Sequence, residues 1–243
     1  MDMMWLIYSL LLTVVNAQSR CDEVSFVDRD GWGAQEPSEI QNLTKKPLSF
    51  YIIHHEPGFA NCYDDKSCID QVKNIQYGQQ NLPTIADIFY HFLVGENGKV
   101  YEGRGWGREG AHSKGWNKDA FGICIIGNFT TASPNAKALK AVRSWIDCGK
   151  ERSHVKENYY IITHRQSQSP GWTNCPGNGT LDVVRKWPRY CSFENSGEFS
   201  AVNDMVISRA LNFCKKEFSA SSTASTYLIK PMISFCLLLI YYL

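Results

Sequence analysis

Two histidines and one cysteine form the pattern best suited to chemistry. His54 closes the apolar run YIIHH, His164 closes a second run, YIITH, and Cys175 lies eleven residues further on, in WTNCPG. Two imidazoles and a thiolate are a ligand set for Zn2+ that leaves a fourth position for water. An open position separates a catalytic zinc site from a closed structural one. Zinc held there brings the pKa of bound water to ~7 and polarises a carbonyl oxygen. On spacing alone the same residues also fit a plainer reading, two satisfied histidines and a disulfide cysteine.

Residues so far apart need strand ends to bring them together. LSFYIIHH (48–55) is β-branched and aromatic and reads as a strand. Residues 64–80 place Ile69, Val72, Ile75 and Tyr77 near a helical period. Residues 90–95 and 99–103 read as short strands around Glu96-Asn97-Gly98, a hairpin signal. A strand is expected over 121–129. Ser133-Pro134 then opens a helix with Ala138, Leu139, Val142, Trp145 and Ile146 on one face, Ser133 serving as its cap. YYIIT (159–163) reads as a strand and 180–187 as a last helix. Interleaved strands and helices predict one α/β domain over 21–192, a central mixed sheet flanked by helices. Residues 193–218 read as an extension clipped by a disulfide.

The 243 residues carry a net charge of +1, with 44% hydrophobic and 20% charged residues. That composition argues against disorder, and without a basic run nucleic acid is not an expected partner. Both ends look like processing signals. Residues 3–15 are apolar and Val15-Asn16-Ala17 resembles a cleavage site, so 1–17 reads as a secretory signal peptide. Asp2, where a basic residue is usual, departs from that pattern. Residues 219–243 combine small polar residues with a terminal apolar tail, PMISFCLLLIYYL, the layout of a glycolipid-anchor signal. A membrane-spanning tail and a tail packed on the protein stay open as alternatives.

Nine cysteines in an exported chain make disulfides plausible, although sequence does not pair them. Cys62 and Cys68 are close enough for a loop staple, and Cys191 and Cys214 could clip the extension. Cys124, inside GICIIGNF, reads as a buried thiol. Asn42, Asn128 and Asn178 head glycosylation triplets.

The segments IIHHEPG, DIFYHFLVGENGKVYEGRGW, GAHSKGWN, FGICIIGNF, THRQ and TNCPG resemble, in order, the peptidoglycan recognition protein family. That family is similar to the bacteriophage-type zinc N-acetylmuramoyl-L-alanine amidases. The resemblance implies that His54, His164 and Cys175 hold the metal, the cysteine being the residue that non-cleaving members typically replace with serine. It implies Tyr90 as the active-site tyrosine and Thr173 as a residue orienting water. The implied substrate is bacterial peptidoglycan and its muropeptides. The implied reaction is metal-assisted hydrolysis of the bond between the lactyl group of N-acetylmuramic acid and L-alanine. Zinc and Tyr90 would stabilise the oxyanion. The implied setting is innate immunity, outside the cell or on its surface. Many members bind without cutting, so a recognition receptor is the second reading.

Other positions follow from the same resemblance. His112 would line the peptide groove. Arg104 would pair with the extra carboxylate of diaminopimelate-type peptides, although Thr84-Ile85 departs from the pair that usually accompanies it. Trp106 and Trp116 could stack on sugar or fill the core. His55 could wall the groove, but strand alternation sends it to the face opposite His54. Three further departures stand out: Glu56 after the histidine pair, Phe89 beside Tyr90, and an enlarged loop at Ser167–Gly171 between His164 and Cys175.

Overall fold

The computed structural model describes residues 19–196 and 204–220. The proposed signal peptide and nearly all of the apolar tail lie outside the described residues. In chain order the elements are β1 (Ser25–Val27), α1 (Arg29–Trp32), β2 (Leu48–His55), α2 (Asp65–Gln80), β3 (Phe92–Val94) and β4 (Lys99–Glu102). They continue with β5 (Ala120–Ile125), α3 (Ala136–Glu151), β6 (Val155–Thr163), α4 (His164–Ser167) and α5 (Asn178–Val184). A further helix, α6, covers 204–220. The strands form one six-stranded sheet, ordered β1-β4-β3-β5-β2-β6. The β3–β4 hairpin is antiparallel and every other pairing is parallel, giving the mixed α/β sheet expected.

Parity along β2 explains the layering. Tyr51 and Ile53 point to the face covered by α3 and join Val142, Trp145, Ile146 and Val184 in one core cluster. Phe50 and Ile52 point to the other face and pack with Val206, Ile207 and Ala210 of α6. On that same second face, α2 contributes Val72 and Ile75 to a cluster with Leu93, Cys124 and Tyr90. β2 is buried along its whole length, as a strand between parallel neighbours must be.

Several local expectations are corrected. Asn135, not Ser133, caps α3, its side chain accepting from the Ala138 N–H at 2.9 Å. Glu96 holds Asn135 in place through the Asn135 N–H at 2.8 Å, while the Ser133 hydroxyl turns away to the Gly179 carbonyl at 3.0 Å. The strand expected over 121–129 stops at Ile125, because Gly127 turns the chain at φ +127°. α5 begins at Asn178, earlier than expected. Its entry passes so close to the neighbouring backbone that a Cβ on Gly179 would sit 2.0 Å from the Ala132 carbonyl oxygen.

Disulfides join Cys21 to Cys148, Cys62 to Cys68 and Cys191 to Cys214. The last of these ties α6 to the segment that follows α5. Cys124 and Cys175 are free thiols, and both are buried. Among the described residues no helix is long and apolar enough to cross a membrane.

Candidate metal centre

Main-chain register places the two histidines side by side. β2 and β6 run parallel with Ile53 opposite Thr163, and the residues that follow are His54, still in β2, and His164, the first residue of α4. Their ring centroids are 4.5 Å apart. The chain then leaves the sheet through α4 and an enlarged loop and returns at Cys175, whose Sγ lies 3.7 Å from His54 Nδ1. One ligand atom from each of His54, His164 and Cys175 falls within 4.8 Å of the others, so the trio can hold a metal ion.

One buried polar atom fits a cation at these residues. His164 Nε2 is buried without a hydrogen-bond partner, a costly arrangement for a polar atom unless something else binds the site. Burial pushes the Cys175 thiol up to about 12, so the sulfur is protonated in the ion-free protein and an ion binding there would displace that proton. Burial, then the charge of neighbouring His55, takes His164 down to about 4, and His54 lies well below the imidazole range for the same first reason. Both rings are therefore neutral at pH 7, as metal ligands must be.

A chain of hydrogen bonds sets the tautomer of His54. His112 Nε2 lies 3.2 Å from the Ala120 carbonyl, which can only accept. His112 Nε2 therefore carries the hydrogen, and its Nδ1 is an acceptor. That nitrogen lies 3.0 Å from His54 Nε2, so His54 Nε2 donates and the Nδ1 lone pair faces Cys175. His112 is buried at 4% exposure. The expectation that it lines the groove is corrected: it orients His54.

Cys175 is braced from both sides. Its N–H donates to Thr173 Oγ1 at 3.1 Å, and its Sγ accepts from the His55 N–H at 3.4 Å. His55 itself is not a groove wall. It points to the α3 face, and its Nδ1 accepts from the Phe129 N–H at 3.1 Å.

Tyr90 lies beside the trio, its ring 5.1 Å from that of His54. Its hydroxyl donates to Glu56 Oε2 at 2.7 Å, and Gln79 Nε2 donates to the same oxygen at 3.1 Å. Gln79 Oε1 also accepts from the Phe89 N–H at 2.7 Å, so α2 clamps Glu56 and the Tyr90 segment together. Burial raises the Glu56 pKa, and the two donated bonds pull it partly back. The sequence flagged Glu56 as unusual but gave no sign of Gln79, whose role depends on where α2 packs.

The remaining candidates are not brought to the trio. Arg104 donates from Nε to the Ile88 carbonyl at 2.6 Å, and its two terminal nitrogens bond the Glu109 and Asp87 carbonyls at 2.8 and 3.3 Å. It braces two loops instead of presenting a free fork to a carboxylate. Trp106 stacks on His154 at 4.5 Å and packs against Phe92 and Trp145 on the α3 face. Trp116 is fully buried, its Nε1 donating to the Ser167 carbonyl at 2.9 Å. Trp116 is core, and Trp106, partly buried, packs against the core on the α3 face.

Residues 44–178 match the N-acetylmuramoyl-L-alanine amidase family. A peptidoglycan recognition protein from Trichoplusia ni is 36% identical over 188 residues, covering 77% of this chain and 98% of that protein. Peptidoglycan recognition protein 1 from Bos taurus is 36% identical over 182 residues, covering 74% and 93%. Among solved structures, wild-type Drosophila PGRP-LB superimposes with a TM-score of 0.67 at 29% identity, covering 71% of this chain and 99% of that one. PGRP-LE in complex with tracheal cytotoxin, a monomeric diaminopimelic acid-type peptidoglycan, gives a TM-score of 0.65 at 31% identity, covering 72% and 99%. This chain belongs to the peptidoglycan recognition protein family.

Proposed function

We propose that this protein is a zinc-dependent N-acetylmuramoyl-L-alanine amidase that binds bacterial peptidoglycan and cuts its stem peptide from the glycan, as part of innate immunity. The convergence of His54 and His164 with a free Cys175 sulfur supports this reading above all else. A solved relative bound to a diaminopimelic acid-type peptidoglycan supports the substrate class.

His54, His164 and Cys175 would hold the zinc. The ion supplies a polarised carbonyl and a nucleophilic water at neutral pH. His112 keeps the His54 lone pair aimed at the site. Thr173 fixes the Cys175 backbone through its hydroxyl and so sets the position of the sulfur. Tyr90 stands ready to donate to the oxyanion as the lactyl carbonyl is attacked, once its proton turns from Glu56 toward substrate. At its raised pKa the tyrosine stays protonated and can act as a donor.

One observation favours a second reading, recognition without cleavage: the Tyr90 proton is already engaged by a carboxylate. Metal analysis and digestion of a muramyl peptide separate the two. The amidase gives about one zinc per chain and free stem peptide, and Cys175→Ser keeps binding while losing both. Equal digestion by wild type and Cys175→Ser would overturn the metal reading.

The three disulfides among the described residues support export to an oxidising compartment. A lipid anchor added at the small residues near Ser219 would hold it on the outer cell surface. Release from cells by a phosphoinositide-specific phospholipase tests that attachment, and retention would point to a spanning tail.

A further inference from the structure

The enlarged loop between His164 and Cys175 carries a side chain that neither the core nor the metal trio uses. Trp172 is 63% exposed. Its ring nevertheless meets His164 edge-on, with centroids 5.6 Å apart. Of the large exposed apolar side chains among the described residues, it alone makes a ring contact with a member of the trio.

The loop around it is fixed. Gln168 Nε2 donates to Ser113 Oγ at 2.8 Å, and the Trp172 N–H closes a turn onto the Ser169 carbonyl at 3.1 Å. Gly171, at φ +78°, allows that turn. On the far side, the Arg165 N–H donates to the Cys175 carbonyl at 2.9 Å, pinning the loop's return beside its start. The indole therefore stands exposed beside His164 on a hydrogen-bonded turn, so little ordering is needed before it meets a ligand.

The chemistry of the proposed substrate says what should lie there. Three bonds join the lactyl carbonyl carbon to C3 of the muramic pyranose. With that carbonyl at the metal trio, the edge of the sugar ring must fall within ~4 Å of it. An exposed indole beside a metal ligand offers a flat apolar surface to the C–H face of a pyranose and leaves the sugar hydroxyls in water.

We propose that Trp172 is a glycan-contact residue that stacks on the amino sugar next to the scissile bond. It thereby makes the site discriminate glycan-bearing muropeptides from free stem peptides. This assignment rests on the amidase and peptidoglycan-binding reading above.

The test places Trp172→Ala and Trp172→Phe in the Cys175→Ser background, which binds without cutting, and compares each with Cys175→Ser alone by calorimetric titration. The ligands are a glucosaminyl-muramyl peptide and the same stem peptide without sugar; zinc content of the single Trp172 variants and far-ultraviolet circular dichroism are measured in parallel. Trp172→Ala should weaken the sugar-bearing ligand about tenfold or more and leave the stem peptide, the zinc and the spectrum unchanged. Trp172→Phe should recover most of the affinity. Equal weakening of both ligands would assign the ring to the peptide and overturn the proposal, as would no change in either. Failure of Cys175→Ser alone to bind either ligand would instead overturn the peptidoglycan reading itself, and this assignment with it.

Discussion

The Tyr90 hydroxyl gives its only proton to the Glu56 carboxylate across 2.7 Å, with Gln79 holding the same oxygen. A donor so engaged must break a charge-assisted bond before it can serve an oxyanion. Replacing Glu56 with Thr removes that bond. The expected result is a kcat rise on the order of tenfold, because about 1.4 kcal/mol need no longer be supplied on the way to the transition state. Tyr90→Phe should lower kcat by ~10²–10³ with zinc content unchanged. Initial rates on a muramyl peptide read both variants. A Tyr90→Phe enzyme as fast as wild type would dismiss the tyrosine as a donor.

His112 hydrogen-bonds His54 within the trio, so its loss should act through the metal. His112→Phe keeps a ring in the space but removes both hydrogen bonds. Zinc affinity should fall about 10–100-fold, as is usual when the partner of a ligating histidine is lost. Competition against a chromophoric chelator measures this. His112→Gln, which can both accept and donate, should restore part of the affinity. A purely packing role for the ring predicts the opposite order.

Buried neutral imidazoles make the fold acid-sensitive. Burial takes His91 down to about 3 and His55 to about 4, against ~6.5 when unfolded. Between those values the unfolded chain binds more protons than the folded one, so stability rises with pH through that window. The stabilising contribution is complete above pH ~6.5 and is lost as pH falls toward 4 and then 3. Thermal melting of the metal-free protein should show Tm falling steadily below pH ~6.5. Replacing His91, which bonds the Gly122 N–H and the Arg108 carbonyl, should lower Tm at pH 7 and flatten that slope.

The Cys191–Cys214 bridge closes a loop spanning 23 positions and fastens α6 beneath the sheet. Replacing both cysteines with serine should cost about 3 kcal/mol by loop-closure entropy. Proteolysis should then cut within α6 before the sheet opens. Mass spectrometry of the first fragments checks this order.

The strands that position the trio were legible because alternation and apolar runs are local. YIIHH and YIITH end where the structure ends β2 and begins α4. The Cys62–Cys68 staple was readable for the same reason, while Cys21–Cys148 spans 127 positions and is set only by where α3 packs. β1 and α1 were too short to show a period. Arg104, Trp106 and His112 were misassigned because an arginine, a tryptophan and a histidine each suit a ligand or an interior equally well. What decides between them is nearby backbone carbonyls and facing rings, which are properties of the folded chain. The Ser133 cap was displaced by a neighbour that Glu96 reaches from a separate turn.

The pairing of Ile53 with Thr163 has a consequence for how the centre is assembled. Both imidazoles hang from a ladder that the polypeptide completes for its own reasons, and the sulfur is delivered by a strap knotted to that ladder. On the zinc reading, loading with an ion would be a late event in maturation, distinct from collapse of the chain. Stripping the ion should silence the protein while leaving its architecture standing, ready to be reactivated by resupply.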